Sequence, residues 1–339
     1  MPWPPWKNES EMRQQHIAIG SARATGRAKL NLSFRILGIM HDGYHQVETV
    51  LQSVDLEDSI TISVSDDSAG DGIIFGRIDS KVPGDFPLDG SNLMVKAAAL
   101  YRQEVPEVGK LSLKADIIKE IPIGAGMAGG SADAAATLVA LDRIIGDRLG
   151  MERLMELGAR LGADVPFAIR GGTCLGTHRG DRLEDIQHDH KLFFLIVKPR
   201  NLSISTPGLY KSFDEFGADK KSGSTAVPAG ELAEALREGN LEKLVARLGN
   251  DFEPVLFQLY PELAFLRDRM LELGCFNANV TGSGPTLFGL VASREHGRYI
   301  KRMLASDPLR KDRQDAPYYR HGRLDIFVAE SRERGTTVD

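Results

Sequence analysis

The sequence predicts an α/β protein of two domains, and three observations carry that prediction. The 339 residues are enough for two cores of ordinary size. Residues 28–36 alternate, with Leu30, Leu32, Phe34 and Ile36 on one side and Lys29, Asn31, Ser33 and Arg35 on the other. That is the period of a strand with one buried and one polar face. From about residue 204 the chain turns helix-rich, then reads helix, strand, strand, helix, strand, an order expected of an α/β sandwich with antiparallel pairing.

Taken in order, strands are expected at 28–36, 46–55 and 59–65, followed by a polar stretch rich in Gly and Asp as far as Gly90. A helix over 92–103 and a strand over 111–117 come next. A glycine-rich segment then runs into an alanine-rich helix over 130–145, and a second helix over 151–161 stops at Gly162. Strands near 172–177 and 192–198 complete the first half. The second half offers helices at 230–238, 260–273 and 295–305, with strands at 277–281, 286–292 and 324–329. The division is expected near residue 200: a flexible extension over 1–20, an N-terminal domain over 21–200, a C-terminal domain over 201–330 and a tail over 331–339.

Composition excludes several classes. With 42% hydrophobic and 26% charged residues and a net charge of −5, nothing favours nucleic-acid or membrane binding through bulk charge. Apolar runs such as 192–197 are strand-sized, and the first twenty residues lack the apolar core of a signal peptide. Cys174 and Cys275 each sit in apolar sequence, so buried thiols and a cytoplasmic setting are expected rather than a disulfide. His188 and His190 have a spacing found at metal sites but no Cys or acidic companions, and read as an exposed turn.

The strongest local signal is Pro122-Ile123-Gly124-Ala125-Gly126-Met127-Ala128-Gly129-Gly130-Ser131. Glycines let successive N–H groups converge on an anion that approaches the backbone closely, and the following helix adds its positive end. Two familiar readings fail. Gly124, Gly126 and Gly129 fit G-x-G-x-x-G, but the preceding strand alternates and a second helix follows the first. Gly124 and Gly129 fit the start of a P-loop, but Gly130 stands where its lysine is needed. A glycine-rich turn that merely permits tight packing is the remaining alternative to a phosphate site.

Four more stretches complete a pattern: Ala28-Lys29-Leu30-Asn31-Leu32, Asp42-Gly43-Tyr44-His45, Leu161-Gly162-Ala163-Asp164-Val165-Pro166 and Thr281-Gly282-Ser283-Gly284-Pro285-Thr286. With the glycine segment they span roughly 28–329, and in this order they resemble the GHMP kinases. Lys-Leu-Asn-Leu with Asp-Gly-Tyr-His is most similar to the branch that phosphorylates the 2-hydroxyl of 4-diphosphocytidyl-2-C-methyl-D-erythritol, in the non-mevalonate route to isoprenoid precursors. The resemblance implies a ribosomal-protein-S5-domain-2-like N-terminal half, a ferredoxin-like C-terminal half and an active site in the cleft between them. ATP is the implied co-substrate, with Mg²⁺. Ala128, where this family usually has glycine, and His178 after Gly176-Thr177 are departures that remove no side chain the chemistry needs.

The resemblance also assigns roles. Pro122, Gly124, Ala125, Gly126, Met127, Ala128, Gly129, Gly130 and Ser131 would hold the ATP phosphates. Asp164 would take the hydroxyl proton, with Lys29 neutralising charge beside it. Asn31, two residues on, shares the lysine's face and suits a hydroxyl-bearing substrate. Tyr44 and Tyr210 would offer stacking faces to cytosine, His45 would read the base edge, and Thr206 would help close the pocket. Each has a plainer alternative: Asp164 or Ser131 as a helix cap, Lys29 as a solvent-facing lysine, Tyr44 and His45 as turn residues. Asp133 reads as a complement to the helix dipole. No metal ligand is assigned. Rival functions are a homoserine- or mevalonate-type kinase of the same superfamily and a non-catalytic nucleotide-binding protein.

Overall fold

The computed structural model describes residues 20–66, 73–200, 202–219, 226–306 and 324–339. The extension expected over 1–20 lies, but for Gly20, outside the described residues. The first half runs β1 (Gly20–Ile39), β2 (His45–Ser65), β3 (Ile73–Ser80), α1 (Leu93–Glu104), β4 (Ser112–Lys119), α2 (Gly129–Ile144), α3 (Gly150–Leu161), α4 (Asp164–Arg170), β5 (Thr173–Thr177) and β6 (Arg182–Asp185). The second runs β7 (Phe193–Pro199), α5 (Thr206–Asp219), α6 (Ala229–Glu238), α7 (Leu241–Val245), β8 (Gly249–Asn250), α8 (Glu253–Leu259), α9 (Pro261–Glu272), β9 (Asn279–Val280), β10 (Leu287–Val291), α10 (Arg294–Ala305), β11 (Leu324–Glu330) and β12 (Thr337–Val338).

Eight strands form one sheet along the path β12-β1-β2-β4-β3, with β5 on β2, β6 on β5 and β8 on β1. Four form a second, in the order β11-β7-β10-β9, with every pair antiparallel. The second sheet thus takes in β7, which precedes residue 200. The tail over 331–339 returns to the first sheet, where β12 pairs with Ala24 and Thr25. The strands expected at 46–55 and 59–65 are one 21-residue strand, β2.

The even alternation expected along 28–36 is broken. A bulge between Asn31 and Ser33 leaves Leu32 without a partner on β2 and changes the phase of β1. Leu30 and Leu32 enter one core, while Phe34 comes round to line the same cavity as Lys29 and Asn31. The polar face before the bulge is not a solvent face, because Lys29 and Asn31 are both buried.

Three large cores result. One lies between the first sheet and α1–α3 and includes Ile60, Ile62, Tyr101 and Leu138. A second packs α8, α9 and α10 around the second sheet with Phe252, Leu263 and Ile300. The third joins the halves: Leu30 and Val50 of the first sheet meet Phe194 and Phe288 of the second, with Leu232 of α6. Ala125 and Met127 of the glycine-rich segment belong to this joint core. Both cysteines are free and buried, and burial pushes each thiol up to about 12.

Candidate active site

A cleft of about 1160 Å³ opens where the halves meet. Its walls come from β1, the start of β2, the glycine-rich loop, the start of α4, one face of α5 and the turn over 282–284. Every residue singled out from the sequence as a site residue lines it except Met127, whose side chain is fully buried in the joint core. Met127 contributes through its backbone, its carbonyl accepting the N–H of Lys29 at 3.2 Å.

At the floor, Lys29 Nζ donates to Asn31 Oδ1 at 2.6 Å and stands 3.7 Å from Asp164 Oδ1. Asn31 is fixed on all sides: its Nδ2 donates to Thr49 Oγ1 and its backbone N–H to Thr281 Oγ1, each at 2.9 Å. An amide held this way keeps its oxygen turned to the lysine. The Lys29 side chain is 8% exposed and that of Asp164 is 39% exposed, so the cation is sheltered while the carboxylate faces the cleft. Asp164 is the first residue of α4, whose N-cap position is Ala163. Ser131 lies within the first turn of α2, whose N-cap position is Ala128, so it is not the cap of that helix.

The glycine-rich loop takes left-handed backbone angles at every second position, with φ of 64° at Gly124, 76° at Gly126 and 58° at Ala128. Such alternation turns successive N–H groups toward one side. At Gly126 the reason for glycine is a close approach of protein backbone. A Cβ there would lie 2.9 Å from the carbonyl oxygens of both Thr281 and Gly284. The loop over 281–284 is therefore seated on the glycine-rich loop, and Thr206 Oγ1 ties α5 to the same junction through Ser283 Oγ at 2.8 Å.

At the other end of the cleft, Tyr210 stacks on His45 with ring centroids 4.3 Å apart. It does not face Tyr44, which is 58% exposed beneath the Arg179 guanidinium, 4.0 Å from its ring centroid. His45 Nε2 lies 2.8 Å from Asp214 Oδ1, one helical turn beyond Tyr210 on α5. Burial first, and then the Asp164 charge, push the Tyr210 hydroxyl up to about 12. His188, expected as exposed, is half-buried with Nε2 2.8 Å from Thr173 Oγ1, and burial lowers its pKa. Among the described residues no group of three or more His, Cys, Asp or Glu is placed to hold a metal ion.

Sequence reasoning missed Thr49, Arg179, Asp214 and Lys119 as cleft residues. Asp214 carried a usable signal, four residues from Tyr210 on one helix face; the others depend on partners remote in sequence.

Comparison with known proteins agrees with this geometry. The N-terminal domain model of the GHMP kinases matches residues 92–172 and their C-terminal model matches 232–310. Fold and site together define a small-molecule kinase of the GHMP class, enzymes that use ATP as co-substrate. The chain is 39% identical over 280 residues to a 4-diphosphocytidyl-2-C-methyl-D-erythritol kinase of Pelotomaculum thermopropionicum, covering 82% of this chain and 91% of that one. It is 41% identical over 276 residues to the enzyme of that name from a Nocardioides species, covering 80% and 89%. A crystal structure of 4-(cytidine 5'-diphospho)-2C-methyl-D-erythritol kinase superposes with a TM-score of 0.67 at 27% identity, covering 91% of this chain and 98% of that one. The chain belongs to the 4-diphosphocytidyl-2-C-methyl-D-erythritol kinase family. Mevalonate kinase of L. major, with a TM-score of 0.71 at 16% identity, shares the fold. No described helix is long and apolar enough to cross a membrane.

Two outcomes follow from the loop. Gly126→Val forces the two loops apart and is expected to weaken binding of a non-hydrolysable ATP analogue at least ~10-fold by isothermal titration, about 1.4 kcal/mol. Ala128→Gly removes a left-handed alanine costing about 1–2 kcal/mol, against about 0.4–1 kcal/mol of added unfolded-state entropy. A net gain of roughly 0.5–1 kcal/mol is expected in urea unfolding.

Proposed function

We propose that the chain transfers the γ-phosphoryl group of ATP, taken as its Mg²⁺ complex, to the 2-hydroxyl of 4-diphosphocytidyl-2-C-methyl-D-erythritol. The observation that carries this reading is the placement of Lys29, Asn31 and Asp164 together, between the glycine-rich loop and the aromatic end of the cleft lined by Tyr44, His45 and Tyr210. The loop N–H groups, Ser131 and the positive end of α2 would hold the phosphates. Asp164 would accept the hydroxyl proton as the oxygen forms its bond to the γ-phosphorus and the bond to the β-phosphate oxygen breaks, releasing ADP. Lys29, with one N–H committed to Asn31, has donors left for the oxygens of the transferring group.

At the far end, Tyr44, Thr206 and Tyr210 would enclose the cytosine and His45 would read its edge. The stacked His45–Tyr210 pair supports a base site there, because it fixes two flat aromatic groups in the wall of the cleft, against which a third ring can pack. A homoserine or mevalonate acceptor would leave this aromatic wall of the cleft without a ring to pack on it.

The deciding assay is ADP release with MgATP, run against the CDP-linked alcohol, mevalonate and homoserine. Turnover is expected with the first; turnover with mevalonate or homoserine instead would overturn the assignment. In the same assay Asp164→Asn is expected to lower kcat at least ~10², with the acceptor KM changed little. Near-normal kcat in the folded variant would reduce Asp164 to a structural residue.

The base slot makes a second demand. Tyr210→Ala should weaken CDP- and UDP-linked alcohols alike by about 1–3 kcal/mol, while Tyr210→Phe keeps the stacking face and most of the affinity. His45→Ala should narrow the ratio of kcat/KM between the two, since hydrogen bonds discriminate base edges that stacking does not. A wild-type ratio in His45→Ala would show that another group reads the base.

A further inference from the structure

Beneath the glycine-rich loop lies a buried ionic group that the proposed chemistry does not use. Lys119 ends β4, Asp58 lies on β2 and Asp133 lies in the second turn of α2; no side chain of the three is more than 4% exposed. Lys119 Nζ donates to Asp58 Oδ2 and, at 2.8 Å, to Asp133 Oδ2. Asp58 Oδ1 accepts the backbone N–H of Glu120 at 2.6 Å and of Ile121 at 2.9 Å. Those two residues lead directly into Pro122.

Both stems of the loop are therefore tied to one carboxylate, the incoming one directly and the outgoing one through Lys119. Asp58 holds the incoming stem by its backbone and, through Lys119, holds the outgoing stem at Asp133. The neck is tight: a Cβ on Gly129 would lie 3.0 Å from Ile121 Cγ2 and 3.1 Å from Lys119 Nζ. Lys119 and Asp133 also line the cleft.

Stability alone does not account for this group. Two carboxyl groups and one ammonium are all withdrawn from water, and Asp133 Oδ1 has no hydrogen-bond partner among the described residues. A well-packed apolar trio would cost the fold less. What the ions supply is direction, since each bond fixes a different segment at a set distance.

We propose that Asp58, Lys119 and Asp133 are positioning residues for the ATP-phosphate loop, holding its two stems at the separation at which its N–H groups converge. The proposal rests on the reading of 122–131 as that loop. Burial pushes the Asp133 carboxyl up to about 7. Burial also pulls Lys119 down, but Asp133 and Asp58 more than offset it and leave the ammonium above its ordinary value.

The test compares three variants with wild type: Asp133→Asn, Lys119→Arg, and a triple uncharged replacement, Asp58→Asn with Lys119→Met and Asp133→Leu. Thermal melting, the Kd of a non-hydrolysable ATP analogue, the Kd of the CDP-linked alcohol and kcat are measured for each. Asp133→Asn is expected to raise the ATP-analogue Kd at least ~10-fold and lower kcat, with the CDP-ligand Kd within about twofold of wild type. The triple variant is expected to melt near wild type and still bind the ATP analogue poorly. Wild-type ATP affinity in a folded Asp133→Asn protein, or affinity restored together with stability in the triple variant, would overturn the proposal. Should either fail to fold, Lys119→Arg decides. It keeps the charge but is too long for the space under Gly129, so a raised KM for ATP alone supports the proposal and an unchanged one overturns it. Gly126→Val in the same titration separates the two readings. Wild-type ATP affinity there removes the loop assignment itself, whereas an impaired Gly126→Val beside a normal Asp133→Asn removes only the triad's role.

Discussion

The site depends on an open stretch of one strand edge. β1 is covered by β12 at Ala24 and Thr25 and by β8 at Ser33 and Phe34, and among the described residues no strand pairs with it on that side between them. The backbone N–H groups in this gap still need partners. Lys29 gives its N–H to Met127 O and Asn31 gives its own to Thr281 Oγ1. One loop from each half is thereby drawn to the same few residues of β1, and Gly126 and Gly282 let the loops close on each other and on the Lys29–Asn31 pair. The cleft is what remains above this junction.

A chain with a net charge of −5 must attract phosphate by local means. The loop supplies backbone N–H groups and a 16-residue helix whose N-terminal end carries about half a positive charge. Neither depends on the sign of the surface, and neither needs a lysine inside the loop, which is why Gly130 can stand where a P-loop would place one. The cation that the proposed chemistry would use, Lys29, is on β1 instead. Its 2.6 Å bond to Asn31 orients it, and its 3.7 Å separation from Asp164 is an ion-pair distance rather than a hydrogen bond. That spacing leaves the carboxylate oxygens available to a substrate proton.

Much of this was legible in the sequence because it is local. The glycine-rich loop, the shared face of Lys29 and Asn31, and the helices over 92–103, 130–145 and 151–161 follow from short-range pattern and turn chemistry. What escaped depends on partners far away. The bulge at Leu32 has no signature in an apolar alternation, yet it decides that Phe34 enters the cleft. β8, β9 and β12 are two residues each, too short to show a period. Asp58 and Lys119, 61 residues apart, read singly as ordinary surface charges, and only their joint burial gives them a role. The Tyr210–His45 stack likewise joins halves that the sequence presents separately.

The loop sequence itself can be understood as two interleaved demands. Ala125 and Met127 are buried at 3% and 0% exposure and anchor the loop in the core that joins the two sheets. The residues between and beside them, Gly124, Gly126 and Ala128, take the left-handed angles that aim N–H groups outward. Anchoring side chain and turning residue alternate, so the loop is held by the same core that fixes the relation of the two halves. A substitution that loosened that core would misalign the glycine-rich loop and the Lys29–Asn31 pair together, although it touched neither. Two halves that share such a core are poorly suited to swing apart.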